Sequence, residues 1–409
     1  MNDECRMEQA GIATLTWSGT WASRGKRLVQ TRMNLVFAPP VRSHSAFFIL
    51  HSSFSSMFRF AFRRFAFSFK NPIRTAHGFW QEREGVWIRL TTEAGDVGLG
   101  EAAPIAAFGT ETIEELEERC RALPDPVSGE EISAISERWP CLRFALESAL
   151  EQVAENHRDR TGERNVDADT PEAPKAPNGY LPVAALLPAG KPALEKMAAL
   201  GDAGFRTFKW KVGVGDVADE LGLAEDLLSR LPAGSKLRLD ANGAWNHRQA
   251  QKWLERAADW PIEFIEQPIA ADARGFDDTM LGLAADFPTP LALDESIATA
   301  AHVAHWQALG WDGYFVVKPA LLGDVNGVIE KLKNGRSKVV FSSALETTIG
   351  ARRVLRLALD HGEAGRAIGF GVWPLFADLR LNGPSLAPFI RREDVERLDP
   401  AAAWASLGE

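Results

Sequence analysis

Five short apolar runs in the second half of this 409-residue chain each end in charge, at intervals of roughly 24–31 residues. They read TFKWKV with Lys209 and Lys211, KLRLDANG with Asp240, FIEQP with Glu266, PLALDES with Asp294 and Glu295, and YFVVKP with Lys318. An unbroken apolar run of this length suits a strand covered on both faces, and such strands are parallel. The interval leaves room for one helix per strand, which is the repeat of a βα barrel. Strand C-termini converge at one mouth of such a barrel, so the acids and amines would meet there. Charge gathered in a poorly solvated place is costly unless it is paired or holds an ion. The pattern therefore predicts a reaction centre.

Eight strand-like runs start near residues 180, 207, 237, 264, 290, 314, 338 and 367, with amphipathic stretches such as ADELGLAEDLLSRL between them. The reading is an α/β fold, a (β/α) barrel over residues 179–373. A barrel of about 250 residues leaves chain for a second unit. Residues 57–100 alternate as antiparallel strands do, in FRFAFRRFAFSF and VWIRLTT around the turn EAGDVG. TETIEELEERCRAL reads as a helix with Thr110 as N-cap, and CLRFALESALEQVAEN, about 141–156, as another. From about His157 to Asn178 the chain is rich in proline and charge and reads as a linker. Residues 57–178 thus form an α+β capping domain with its linker, and 374–409 a tail that packs back on it. Residues 1–56 lack either period and read as a disordered or spurious extension with Met57 as the alternative start, or else as a functional arm.

A net charge of −9 without a basic stripe argues against nucleic acid. No apolar run approaches the ~20 residues that span a bilayer. Cys5, Cys120 and Cys141 are dispersed, which suggests neither a disulfide frame nor a zinc site and fits a reducing cytoplasm.

Asp240, Glu266 and Asp294 each follow three or four apolar residues, so each is placed to point into the mouth. Three hard oxygen ligands with no His or Cys favour Mg²⁺; the alternative is that each acid caps a helix or pairs with a lysine. Lys209 and Lys211 share a face of their strand by its period of two. Their mutual repulsion should lower the pKa of one of them and make it a base near neutral pH. Lys318, four strands later, would approach from the opposite side. A base, a facing cation and a divalent metal suit removal of a proton alpha to a carboxylate, with the electrostatic contribution exceeding that of the base. Arg238 shares the parity of Asp240, so it either binds an anionic substrate or makes an outer salt bridge. Asn242 either orients a lysine or ligand or simply forms a turn. Ser342 and Ser343 either bind a substrate carboxylate or are ordinary strand-end serines.

The order KxK, DAN, EQP, DES and KP resembles the enolase superfamily, in its muconate-lactonizing subgroup. GLGEAAPIAAFGTET (98–112), Arg238, VVKPALLG (316–323) and FSSALETTIG (341–350) are similar to the o-succinylbenzoate synthase family within it. The resemblance runs from about Met57 to Trp373. It implies an enolase-like modified TIM barrel and a carbon–oxygen lyase of menaquinone or phylloquinone biosynthesis. That hydro-lyase would convert 2-succinyl-6-hydroxy-2,4-cyclohexadiene-1-carboxylate to o-succinylbenzoate. It also implies Lys211 as the base, Lys318 as the cation facing the enediolate, and Lys209 as the group that tunes Lys211. Asp240, Glu266 and Asp294 would hold Mg²⁺, with Mn²⁺ as a substitute. Residues 75–82 and 103–110 would form two loops over the mouth, with Gly78 and Gly109 giving them freedom to move. The partner implied is a small carboxylate substrate, met by a monomer or homo-oligomer.

Relatives with the same lysines and acids define the alternatives. Dipeptide epimerases carry a DxD pair near the eighth strand, where this chain reads IGFGVWP. N-succinylamino acid racemisation shares the proton-abstraction step. A barrel that only binds ligands is the non-enzymatic alternative, against which the three intact lysines argue.

Overall fold

The computed structural model describes residues 57–75, 78–162 and 179–408, with the backbone of residues 14–15 and 35–36. It divides into two units, Met1–Ser53 and Phe54–Glu409. In the first, Thr14–Leu15 pairs antiparallel with Leu35–Val36. The reading of residues 1–56 as an extension otherwise lies outside the described residues, as does residue range 163–178 of the linker.

The second unit begins with an antiparallel sheet of β1 (Met57–Thr75), β2 (Gly78–Thr91), β3 (Val97–Ala102) and β4 (Val127–Ser128), in the order β3-β2-β1-β4. Phe58, Phe60, Phe65 and Trp87 are buried in it. Helices α1 (Ile113–Arg121), α2 (Gly129–Ser133) and α3 (Pro140–Thr161) complete the cap. The α1 N-cap is Thr112, two residues beyond the expected Thr110, because Thr112 and Glu115 exchange the two bonds of a capping box. Thr110 instead accepts from the Ile105 N–H at 2.8 Å. Helix α3 extends past 156 to Thr161, with Arg158 and Arg160 in its last turn, where positive charge favours the helix dipole. Of the charged stretch that suggested a loop, residues 157–161 are the solvated end of α3. Gly98 and Gly100 explain the GLGE run: a Cβ at either would overlap the carbonyl oxygen of Ala149 or Ala145 on α3.

The barrel alternates β5 (Tyr180–Pro182), β6 (Ala185–Leu187), α4 (Pro192–Asp202), β7 (Thr207–Lys211), α5 (Val217–Ser229), β8 (Lys236–Asp240), α6 (His247–Ala257), β9 (Ile262–Glu266), α7 (Phe276–Asp286), β10 (Leu291–Leu293), α8 (Ala300–Ala308), β11 (Tyr314–Val317), α9 (Val325–Asn334), β12 (Lys338–Phe341) and α10 (Thr348–His361). Strands β12-β11-β10-β9-β8-β7-β6 form one parallel sheet in that order. The expected first strand, 179–187, is split. Its start, β5, pairs antiparallel with β13 (Phe389–Arg391), and only β6 joins the barrel. The expected eighth strand is reduced to two parallel bridges, Ser342 with Gly369 and Ile368 with Val183, which join the two edges of the sheet. Two glycines in IGFGVWP, which favour no extended ladder, account for its brevity.

Phe264, Ala292, Val316 and Val340 form an apolar plug packed against Tyr314. One pleat further along the same strands stand Glu266, Asp294, Lys318 and Ser342, as period-two alternation requires. Beyond Trp373 the chain returns to the cap. Phe376 stacks on Phe69 with centroids 5.7 Å apart, and the Trp404 carbonyl accepts from Arg63 at 2.9 Å. The tail ends in α11 (Arg392–Glu396) and α12 (Pro400–Ala405). No helix among the described residues is long and apolar enough to cross a membrane.

Candidate active site

Register places the charged side chains. Asp240 lies beside Lys211 on β7 and beside Glu266 on β9, and Arg238 lies beside Lys209. Lys211 ends the second strand of the ring and Lys318 follows the sixth, so the two amines enter from opposite sides. A pocket of about 270 Å³ opens there, lined by Lys209, Lys211, Asp240, Asn242, Asp294, Glu295, Lys318, Ser342 and Ser343. Glu266, 1% exposed, lies buried beside it. A larger hollow of about 650 Å³ between residues 379 and 402 has no lysine among its lining residues and stands away from these strand ends; the chemistry belongs to the smaller pocket.

Lys209 Nζ bridges two of the acids, 2.9 Å from Asp240 Oδ2 and 2.6 Å from Glu266 Oε1. Burial works against its charge, but these two carboxylates outweigh it and hold its pKa above the ordinary lysine value. Lys318 pairs with Asp294. Burial, aided by the charge of Lys209 and opposed by Glu266, lowers the Lys318 pKa to about 8. The lysine brought toward neutrality is thus Lys318, whereas Lys209, one of the pair expected to show it, is shifted the other way. Burial raises the pKa of Glu266 against the pull of Lys209. Burial, then the charges of Asp240 and Glu266, push Glu295 up to about 7.

Asn242 takes the turn role: its φ is 44°, the left-handed turn conformation, and its side-chain amide donates to Glu295 Oε1 at 3.0 Å. Ser342 Oγ donates to the Gly369 carbonyl at 3.3 Å, and Ser343 Oγ to Glu346; both serines still line the pocket. Arg238 does not line it. Its Nε donates to Glu263 at 2.8 Å, its Nη2 to the Ala367 carbonyl at 2.8 Å, and its guanidinium lies 4.7 Å from the Phe264 centroid. Parity turned Arg238 inward as expected, but its position two residues below the strand end leaves it under the pocket in a buried ion pair. It is the salt bridge, not the anion binder.

The donor chemistry fits a hard divalent cation: the three lining acids and the buried Glu266 stand against three lysines, with Glu295 Oε2 buried and without a hydrogen-bond partner among the described residues. In the present arrangement the lysines are the counterions. Among the described residues, no group of three or more His, Cys, Asp or Glu is placed to hold a metal together.

The resemblance set residues 75–82 and 103–110 over the mouth, and Trp80, Ile105 and Phe108 of those ranges do line the pocket, although residues 78–82 belong to strand β2 and not to a loop. What sequence reasoning did not name is the apolar roof these residues form. Ile73, Trp80, Ile105 and Phe108 come from the cap, and Leu345 and Val372 from the barrel. Phe108 ends a short turn (Ala106–Phe108) closed by Gly109 at φ 89°, which favours glycine, and its ring lies 5.4 Å from Lys318 Nζ. No local period could reveal this contact, since its two residues come from different domains.

Residues 193–332 match the family described as Enolase C-terminal domain-like. An o-succinylbenzoate synthase of Thermosynechococcus vestitus is 36% identical over 320 residues, 77% of this chain and 92% of that protein. The chain belongs to the enolase superfamily, close to its o-succinylbenzoate synthases. It is an enzyme. The crystal structure of the Thermosynechococcus elongatus o-succinylbenzoate synthase, complexed with Mg in its active site, matches with a TM-score of 0.69 at 33% identity, covering 85% of this chain and 98% of that one. A hydrophobic dipeptide epimerase of Roseobacter litoralis is 26% identical over 57% of this chain and 67% of its own length. The L-Ala-D/L-Glu epimerase of Bacillus subtilis, at 20% identity and a TM-score of 0.67 over 82% of this chain and 96% of that one, shares the fold.

Proposed function

We propose that this enzyme dehydrates 2-succinyl-6-hydroxy-2,4-cyclohexadiene-1-carboxylate to o-succinylbenzoate, a step of menaquinone or phylloquinone biosynthesis, in the cytoplasm. One observation carries the reading: Lys211 and Lys318 stand on opposed strands of one pocket, among three carboxylates, under an apolar roof. Lys211 removes the proton alpha to the ring carboxylate and then gives a proton to the departing hydroxyl on the same face, so one amine serves both halves of a syn elimination. Lys318, kept as a cation, faces the negative charge that develops on the carboxylate, and the dry surroundings strengthen that interaction. Lys209 bridges Asp240 and Glu266 and adds positive charge beside Lys211. Asp240, Glu266 and Asp294 are the residues that would hold Mg²⁺, or Mn²⁺ in its place. When bound, the cation supplies electrostatic stabilisation to the substrate carboxylate. Ser342 and Ser343, which line the same pocket, would turn their hydroxyls to the succinyl carboxylate.

The absence of any acid in IGFGVWP removes the partner that a dipeptide ammonium needs, which supports the synthase over an epimerase. The test is a spectroscopic dehydration assay on the purified protein with and without Mg²⁺, with an N-succinylamino acid offered in parallel. Metal-dependent loss of the diene substrate supports the proposal. Racemisation of the amino acid without dehydration overturns it.

A further inference from the structure

Two motifs, GEAAP and SSALETTIG, contribute no proton-transfer group, yet they meet across the boundary between cap and barrel. Glu101, at the end of β3, is 2% exposed. Its carboxylate accepts the Thr347 N–H at 3.0 Å, the Gly350 N–H at 3.0 Å and the Thr347 hydroxyl. The first two are backbone donors at the N-terminus of α10, where a carboxylate is favoured. The indole N–H of Trp87, on the neighbouring cap strand, donates to the same Thr347 hydroxyl at 3.1 Å. Every contact is donated toward Glu101, as an ionised carboxylate requires.

A second buried carboxylate continues the network on the barrel side. Glu346 accepts from Ser343 Oγ and, at 2.8 Å, from the Ala344 N–H, while its own carbonyl accepts the Trp373 indole N–H at 3.2 Å. This shapes the segment that puts Ser343 and Leu345 on the pocket, with Leu345 held at φ 66°. On the cap side the buried Arg83 donates to the Pro104 carbonyl at 2.9 Å and to the Ala103 carbonyl. These residues lead into Ile105 and Phe108 of the roof. The positive charge of Arg83 acts on both Glu101 and Glu346.

We infer that Glu101 is a positioning residue: it locks the cap to the loop 342–347 and so fixes the distance between the roof and the serine wall of the pocket. This rests on the function proposed above. These hydrogen bonds tie two segments of the pocket together and involve no barrel strand. Their loss should therefore appear in those segments and in substrate binding. Glu101→Gln keeps the volume but removes the charge and turns one acceptor into a donor facing N–H groups.

The experiment compares wild type, Glu101→Gln, Thr347→Val and Thr347→Ser by amide hydrogen exchange and by steady-state kinetics. In Glu101→Gln and Thr347→Val, protection should fall about tenfold in both 103–109 and 342–347, while the barrel strands keep theirs. KM should rise about tenfold with kcat within about twofold, and Thr347→Ser should restore both. Unchanged protection in either segment overturns the inference, as does loss spread evenly through the chain. Loosened segments with unchanged KM also overturn it, since that is a purely structural role. A wild-type enzyme that fails to dehydrate the substrate defeats the preceding proposal, whereas the exchange comparison still judges the lock.

Discussion

Replacing Lys318 by methionine removes one charge and little volume. The consequence can be worked from its surroundings. The Lys318 side chain is 13% exposed, partnered by Asp294 and roofed by the Phe108 ring at 5.4 Å, so solvent screens it only in part. Two unit charges about 4 Å apart at an effective dielectric constant of about 20 interact by about 4 kcal/mol. Loss of that interaction with the developing enediolate corresponds to about a 10³-fold fall in kcat. Asp294 also loses its counterion, and breaking a buried pair costs about 3–5 kcal/mol of stability when nothing replaces the partner. Turnover must therefore be measured on protein shown by circular dichroism to be folded, with Mg²⁺ present. Lys318→Arg, which keeps the charge, should recover part of the rate. If folded Lys318→Met dehydrates within tenfold of wild type, Lys318 does not stabilise the transition state.

Lys211→Ala should fold normally and lose dehydration altogether; activity near the wild-type level removes Lys211 from the mechanism. Arg238→Met leaves Glu263 only the more distant Lys236 and Arg366 and should lower stability by up to about 3–5 kcal/mol, with KM nearly unchanged, as denaturant titration and kinetics would show. A large rise in KM would return Arg238 to the pocket. His361 Nδ1 accepts from Lys333 Nζ at 2.8 Å, and burial, then the Lys333 charge, depress its pKa from 6.5 to about 4. Below about pH 6.5 the unfolded chain takes up a proton that the folded chain refuses, so this contribution to stability is present above 6.5 and lost as pH falls toward 4. It amounts to at most about 3 kcal/mol. The stability difference between wild type and His361→Gln should shrink over that interval; a difference that does not change with pH contradicts the assignment.

The barrel was readable because its strands are buried on both faces, which leaves unbroken apolar runs, and because a period of two turns each terminal charge inward. Lys209, Lys211, Asp240, Glu266, Asp294 and Lys318 were all found that way, and the coordinates bring their strand ends together. Arg238 shows the limit of the rule: parity fixes the direction of a side chain but not its height, and two residues is about 7 Å along a strand. The eighth position misled for a related reason, since glycines that allow close approach to Ser342 also forgo a ladder. The start of α1 was misplaced because Thr110 and Thr112 are chemically alike, and only Thr112 has a glutamate three residues on. The segments of the roof came from the family resemblance, but their contacts with the barrel, like the lock at Glu101, join residues more than 200 positions apart in sequence, beyond the reach of any local pattern.

The central claim is that two amines on opposed strands work on one substrate carbon. A crystal structure of the enzyme with Mg²⁺ and o-succinylbenzoate tests it most directly. The account predicts one ion shared by Asp240, Glu266 and Asp294, with Lys211 and Lys318 on opposite faces of the carbon that bears the ring carboxylate. Product bound with both amines on one face, or with the three carboxylates still apart and paired only to lysines, would contradict it.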